Sequence, residues 1–432
     1  MTTRRGVLRG IAAGGAAVPF AALGAPAAQA DQAAQAAQAD QAASGNGGVR
    51  TGFEVLRAGG YRELRGQKVG MVANPTAVIR DLSHEVDVMH ASSGVDLAAV
   101  FGPEHGFRGS AQAGGSEGSY KDPRTGIAVY DAYAKTPQQI ADYFTKSGID
   151  TVVFDIQDVG ARFYTYVWTM FDCMRAAIQA GKRFVVLDRP NPLGGVEATG
   201  PVLHPEYASG VGREPIAQQH AMTVGELARL FDGEFLEGKA KPQVIQMRGW
   251  RRGMTWEETG LPWVLPSPNM PTINTAVAYP GMGLFEAVNL SEGRGTTVPF
   301  EMVGAPYVDW HWADDLNGLG LPGVRFREAY FAPTFNKWVN QNCGGVQLFV
   351  TDRRRFDPIR TALAMIISAR RLYPKDFAWR ESKSPYWIDL LTGSDQVRTA
   401  IDGGANVDQV VAGWQADLAR FRAQRKRYLL YR

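Results

Sequence analysis

The stretch DTVVFDIQDVGARFYTYVWTMFDCMRAAIQAGKRFVVLDRPN, Asp150 to Asn191, decides the fold class. It opens on an unbroken apolar run, TVVFDI, passes through an amphipathic segment, YVWTMFDCMRAAIQAGK, and closes on a second apolar run, RFVVL. Strands that are apolar at every position, separated by a helix, belong to a parallel sheet covered on both faces, because no side of such a strand meets water. The alternation extends both ways. KVGMVAN, DLAAVFG and IAVYDAY precede it, KPQVIQM follows it, and TPQQIADYFTKSG supplies another helical segment. From Lys68 to about Arg248 the chain reads as a doubly wound, mainly parallel α/β domain.

In open α/β sheets, ligands bind beyond the carboxyl ends of the strands. The polar clusters of this sequence fall there three times. GPEHGFRG follows DLAAVF and carries Glu104, His105 and Arg108. QDVGARFYTY follows TVVFDI, so Asp155, Gln157, Asp158, Arg162, Tyr164 and Tyr166 reach the same rim. DRPNPLGG follows FVVL and adds Arg189 and Asn191. Three strands delivering polar groups to one edge mark a candidate site.

The glycines Gly102, Gly106 and Gly109 let backbone come close to a ligand. Glu104 follows Pro103 at a strand end, where burial can raise its pKa and make it a proton donor, and His105 can share the proton traffic. Tyrosine faces beside carboxylates and amides suit a sugar. Ordinary structural readings stand beside these: Glu104 bracing a turn with Arg108, His105 packed, and the tyrosines as core at a helix start.

A proline-dense segment, LPWVLPSPNMPTINTAVAYPGMG, breaks the alternation and places a domain boundary there, between 51–265 and 266–432. The second part reads as a smaller α+β domain, with GVQLFVTD as a strand, PIRTALAMIISARRLYP as a helix, and a terminal amphipathic helix from about Val407 to Leu429. Its candidate site residues are Asn269 in PSPNMPT and Glu292, Arg294 and Glu301 in SEGRGTTVPFE, which would form the second wall of a cleft between the domains. No G-x-G-x-x-G follows the first strand, where NPTAV stands instead, and neither H-E-x-x-H nor a cysteine pair with ligand spacing occurs. No cofactor is expected, although Glu104, His105, Asp155 and Asp158 leave a metal-dependent hydrolase as an alternative.

Residues 1–30 combine paired arginines, an apolar stretch too short to span a bilayer, and APAAQA as a small-x-small cleavage site. They read as a twin-arginine export signal, so a secreted or cell-envelope location is expected, with 31–50 a low-complexity linker. Arg4, Arg5 and Arg9 are the only charges in the signal; without them 43 basic residues face 43 acidic ones. A neutral mature chain has no electrostatic case for nucleic acid, and no later apolar run anchors it in a membrane. Cys173 and Cys343 read as two free or buried thiols.

Seven motifs in order, GPEHGFRG, FDIQDVGARFYTY, VLDRPNPLGG, MTVGELA, PSPNMPT, YPGMGLFEAVNLSEGRGT and GVQLFVTD, resemble the exo-acting β-N-acetylmuramidases, from about Gly52 to the C-terminus. The resemblance implies a Rossmann-like N-terminal domain, a smaller C-terminal one, an active cleft between them, and release of terminal N-acetylmuramic acid from the non-reducing ends of peptidoglycan fragments. It implies Glu104 as the leading catalytic group, with His105 beside it. Glu292 or Asp155 would then be the second carboxylate, unless the sugar's own acetamido group takes that part. Muramic acid carries a lactyl carboxylate, for which Arg108, Arg162, Arg189 and Arg294 are the candidate readers. One departure stands out: the family tends to have His-Gly-Met-Thr where this chain has His220, Ala221, Met222 and Thr223. The methyl matters only if that backbone needs positive φ. A secreted protein that binds muramyl sugars without cutting them is the non-enzymatic alternative.

Overall fold

A computed structural model describes residues 48–380 and 385–432, and the segments that read as signal and linker lie outside them apart from its last residues. Strands β1 (Lys68–Ala73), β2 (Asp96–Gly102), β3 (Tyr120–Lys121), β4 (Ala128–Asp131), β5 (Thr151–Asp155) and β6 (Arg183–Leu187) are followed by a two-stranded ribbon, β7 (Thr199–Val202) and β8 (Ala217–Gln219), and then by β9 (Gln243–Ile245). The main sheet runs β3-β4-β2-β1-β5-β6-β9. Every neighbouring pair is parallel except β3 with β4. From β1 the chain first builds outward through β2 and β4, then crosses to β5 and builds the other way. The carboxyl ends near that reversal are where an open sheet leaves a crevice.

All five residues of β5 are buried, as the unbroken apolar run requires. Val152 and Phe154 face the larger core, which continues through Leu284, Val346 and Ile366 of the C-terminal part, while Val153 faces the smaller one with Val69 and Leu187. Helices cover both faces and are stopped by local chemistry. Helix α1 (Pro137–Ser147) starts on a reciprocal cap between Thr136 and Gln139 and ends at Gly148, φ 66°. Helix α2 (Tyr166–Ala180) ends at Gly181, φ 64°, and α3 (Val224–Phe235) starts on the Thr223–Glu226 capping box.

The C-terminal part holds a smaller antiparallel sheet, β10 (Met302–Ala305), β12 (Cys343–Val350) and β11 (Val324–Phe331) in that order. Helices α4 (Ile273–Met282), α5 (Pro358–Leu372) and α6 (Trp387–Thr392) accompany it. The expected single terminal helix is divided: Val407–Ala412 ends at Gly413, and Gln415–Arg425 begins after it. Cys173 and Cys343 are free and buried. Among the described residues no helix is long and apolar enough to cross a membrane.

The carboxyl rim of the main sheet is pinned by one guanidinium. Arg189, just past β6, bonds through Nε to Asp155 at the end of β5 and through Nη2 to Glu85 Oε1 at 2.7 Å. All three side chains are at most 5% exposed. Burial, and then the charge of Asp155, push the Glu85 carboxyl well above the ordinary carboxylic range. Burial works against the Arg189 charge, but Asp155 and Glu85 override it and hold that charge more firmly than usual. Removing the cation leaves two carboxyls buried without their partner, which costs about 3–5 kcal/mol. Arg189→Leu is therefore expected to lower the unfolding free energy by that order in chemical denaturation; a loss below about 1 kcal/mol would contradict this account of the rim.

Candidate active site

The carboxyl ends of β2, β4 and β5 form one side of a cavity of about 670 Å³, and residues from Ser267 to Trp387 form the other. Glu104, His105, Tyr164 and Tyr166 lie on its first wall; Asn269, Glu292 and Arg294 lie on its second.

The loop after β2 is shaped to present Glu104. His105 donates its backbone N–H to Gly115 O at 2.9 Å, closing the loop on itself. Glu117 receives the N–H groups of Arg108 and Ser110 at 3.1 and 3.0 Å. Gly106, φ 90°, has no room for a side chain, because a Cβ there would lie 2.2 Å from Glu117. His105 itself sits at φ 70°, an unusual conformation for a residue with a side chain.

Glu104 is half-buried. Its Oε1 receives Gly114 N–H at 2.8 Å and its Oε2 receives the Thr165 hydroxyl at 2.6 Å. Thr165 stands at the N-terminus of α2 and makes no capping bond, so its hydroxyl is committed to Glu104. His105 Nδ1 lies 2.8 Å from Ala111 O. A carbonyl only accepts, so Nδ1 carries the proton and Nε2 of the neutral ring is left as an acceptor.

Helix α2 continues the wall through Trp168 and Thr169 and through Asp172, four and three positions further on and so on the same face. Asp172 bonds Arg213 at 2.7 Å, and burial raises its pKa. Tyr164 meets Tyr166 and Tyr279 edge to face at 5.0 and 5.6 Å, and Tyr279 meets Phe300 at 4.8 Å. Burial pushes all three phenols up, which keeps them as hydroxyl donors.

On the opposite wall, Glu292 receives Lys337 Nζ at 2.9 Å, Arg294 Nε at 3.2 Å and the Asn336 amide. Arg294 also bonds Glu286 at 2.9 Å. Burial works against the Arg294 charge, but Glu286 and Glu292 outweigh it and raise its pKa.

Several residues expected at the site are elsewhere. Asp155 and Arg189 are buried in the rim pair described above, so neither reaches a substrate. Arg162 is fully buried and donates to the carbonyls of Pro201, Ile216 and Leu391 at 2.8, 2.9 and 2.8 Å, bracing the chain from within. Arg108 points to Asp122 and Asp87, at 2.9 and 3.1 Å, rather than pairing with Glu104. Gln157 donates to Asp158 O and Pro190 O, both at 2.8 Å, and Asn191 to Met222 O at 2.9 Å; both hold loops in place. Glu301 receives the Thr275 hydroxyl at 2.7 Å at the start of α4. Asp158 receives Gly160 N–H at 2.7 Å and His220 Nε2 at 3.1 Å, which fixes the next loop over. Among the described residues no group of three or more His, Cys, Asp or Glu is placed to hold a metal ion.

Thr165, Asp172, Arg213, Tyr279, Glu286, Arg380 and Trp387 also line the cavity and were not singled out from the sequence. Thr165 was within reach, since it lies inside the quoted FYTY run. Arg380 and Trp387 flank a stretch of sequence with no period to read.

Two family models cover nearly all of the described chain: exo-β-N-acetylmuramidase NamZ, N-terminal, over residues 69–274, and its C-terminal counterpart over 277–431. The chain is 46% identical over 384 residues to the peptidoglycan β-N-acetylmuramidase NamZ of Bacillus subtilis (strain 168), covering 89% of this chain and 91% of that protein. Two crystal structures of DUF1343 family proteins from Bacteroides fragilis NCTC 9343 are similar throughout. One gives a TM-score of 0.82 at 34% identity and the other 0.70 at 29%, each covering 89% of this chain and 99% of its own.

The departure at Ala221 has a structural meaning, because Ala221 sits at φ 51° beside His220. A methyl there costs about 1–2 kcal/mol, partly offset by the larger freedom glycine has in the unfolded chain. Ala221→Gly is expected to raise the unfolding free energy by about 0.5–1 kcal/mol in denaturant titration; an unchanged or lower value would mean the surrounding loop has absorbed the strain.

Proposed function

The chain belongs to the exo-β-N-acetylmuramidase NamZ family, and from that membership we propose that Glu104 is the acid with which it cleaves its substrate. It is a glycoside hydrolase that acts on peptidoglycan, removing β-linked N-acetylmuramic acid. One observation carries the assignment of Glu104. The cavity wall holds four carboxyl side chains, Glu104, Asp172, Glu286 and Glu292. Three of them are spent on cations: Asp172 on Arg213, Glu286 on Arg294, and Glu292 on Arg294 and Lys337. Glu104 alone has only a hydroxyl and an N–H as partners among the described residues.

In the first step Glu104 gives its proton to the bridging oxygen as the C1–O bond breaks, and positive charge develops at C1. The Thr165 hydroxyl suits this work, since it can donate to the carboxylate and accept from the acid, and so keeps contact in both protonation states. With the other wall carboxylates ion-paired, the substrate's own acetamido oxygen is the nucleophile that closes on C1. Water then opens that ring, and Glu104 takes the water's proton back. The tyrosine cluster supplies ring faces for the sugar, the Tyr166 hydroxyl being spent on Pro266 O, and His105 Nε2 accepts from a sugar hydroxyl.

The arginine-led segment before Ala30 supports export of the mature chain through the twin-arginine route, which would bring the enzyme to its polymer. The proline-dense stretch supports a division into two lobes close to residue 265.

Glu104→Gln keeps an acceptor for Gly114 N–H while removing the proton, so it isolates the chemistry. Its kcat on a chromogenic β-N-acetylmuraminide is expected to fall by roughly 10²–10⁴ with a normal folded state, and a chelator is expected to leave wild-type activity untouched. Full activity in the variant, or its loss in the chelator, would overturn the reading.

A further inference from the structure

The cavity wall carries four cationic side chains, Lys135, Arg213, Arg294 and Arg380. Arg213 is taken by Asp172 at 2.7 Å, and Arg294 by Glu286 and Glu292 at 2.9 and 3.2 Å. Lys135 has Asp131 at 3.9 Å. Arg380 has no carboxylate partner among the described residues, yet it is not loose. Its backbone N–H donates to Ala287 O at 2.7 Å, and its carbonyl receives Trp387 N–H at 3.4 Å. Its guanidinium carbon lies 5.4 Å from the centre of the Trp387 ring, which also lines the cavity.

The carboxylates near it are already taken. On this wall Arg294 and Arg380 stand beside two carboxylates, Glu286 and Glu292, and both carboxylates are already paired, with Arg294 and with Lys337 behind the wall. Arg380 is close enough to Lys337 to help lower that ammonium's pKa, after burial. A planar guanidinium held against an indole, with no carboxylate on it among the described residues, fits a carboxylate bidentately.

We propose that Arg380 is the residue that reads the lactyl carboxylate of N-acetylmuramic acid, and thereby sets the preference for muramic acid over glucosamine. This rests on the muramidase reading above. It places the reader in the C-terminal part, opposite Glu104, and assigns to Arg380 the task that Arg108, Arg162 and Arg189 cannot perform because they are committed inside the fold.

The test compares a chromogenic β-N-acetylmuraminide with the methyl ester of its lactyl group, which keeps the size and removes the charge. Arg380→Met is expected to lower kcat/KM on the acid by roughly 10- to 100-fold, mainly through KM, and to leave the ester within about twofold of wild type. Arg380→Lys should recover part of the loss on the acid, since it restores charge without the fork. Lys135→Met should leave the acid-to-ester ratio unchanged. Equal losses on both substrates with Arg380→Met, no loss on the acid, or collapse of the ratio with Lys135→Met instead, would each overturn the assignment. If wild-type enzyme releases no chromophore from the muraminide, the fault lies with the function and not with Arg380.

Discussion

The Arg189 guanidinium is the contact on which the rest of the structure depends. Parallel strands end in loops whose polar groups must be satisfied somewhere, and here one buried cation gathers the ends of β5 and β6 and the helix after β1 through Asp155 and Glu85. That junction fixes the rim from which the other loops leave. The loop after β2 is held by its own bonds to Glu117 and Gly115, and the loop after β5 by Asp158 with His220. With most of the rim's polar groups spent on holding it rigid, few remain to meet a substrate.

That economy explains the chemistry of the cleft. Three of the four wall carboxylates are paired with arginine or lysine, and the proposed mechanism gives the proton transfer to the fourth, Glu104. The aromatic cluster of Tyr164, Tyr166, Tyr279 and Phe300 runs from one wall to the other and gives the cavity an apolar face, while Arg380 adds a cation with no carboxylate partner among the described residues. An amphipathic sugar with one acidic substituent matches both. The proposed substrate assistance rests on the same accounting of charges, because among the described residues the wall offers no second carboxylate without a cation.

The sheet was legible because its strands are buried on both faces, so TVVFD and its neighbours stay apolar without alternation; helix ends were marked by Thr136, Gly148 and Gly181. The terminal helix was misjudged because amphipathic spacing continues across Gly413, where the chain bends. The rim was legible as a place, but not residue by residue. Arg189 finds Asp155 34 positions away and Glu85 104 positions away, and no local pattern distinguishes such an arginine from one that faces a ligand. Arg380 shows the converse: it lies in FAWRESKSPYW, between helices, where neither the helical nor the strand period applies, and only the folded chain puts it opposite Glu104.

The most direct test of a proton donor at the sheet rim is a crystal structure of the Glu104→Gln protein with an intact muramyl disaccharide bound. The side chain at position 104 should lie about 3 Å from the bridging oxygen, with the acetamido group folded beneath C1. A disaccharide whose bridging oxygen rests instead against Asp172, Glu286 or Glu292, or lies outside the cavity altogether, would contradict the account.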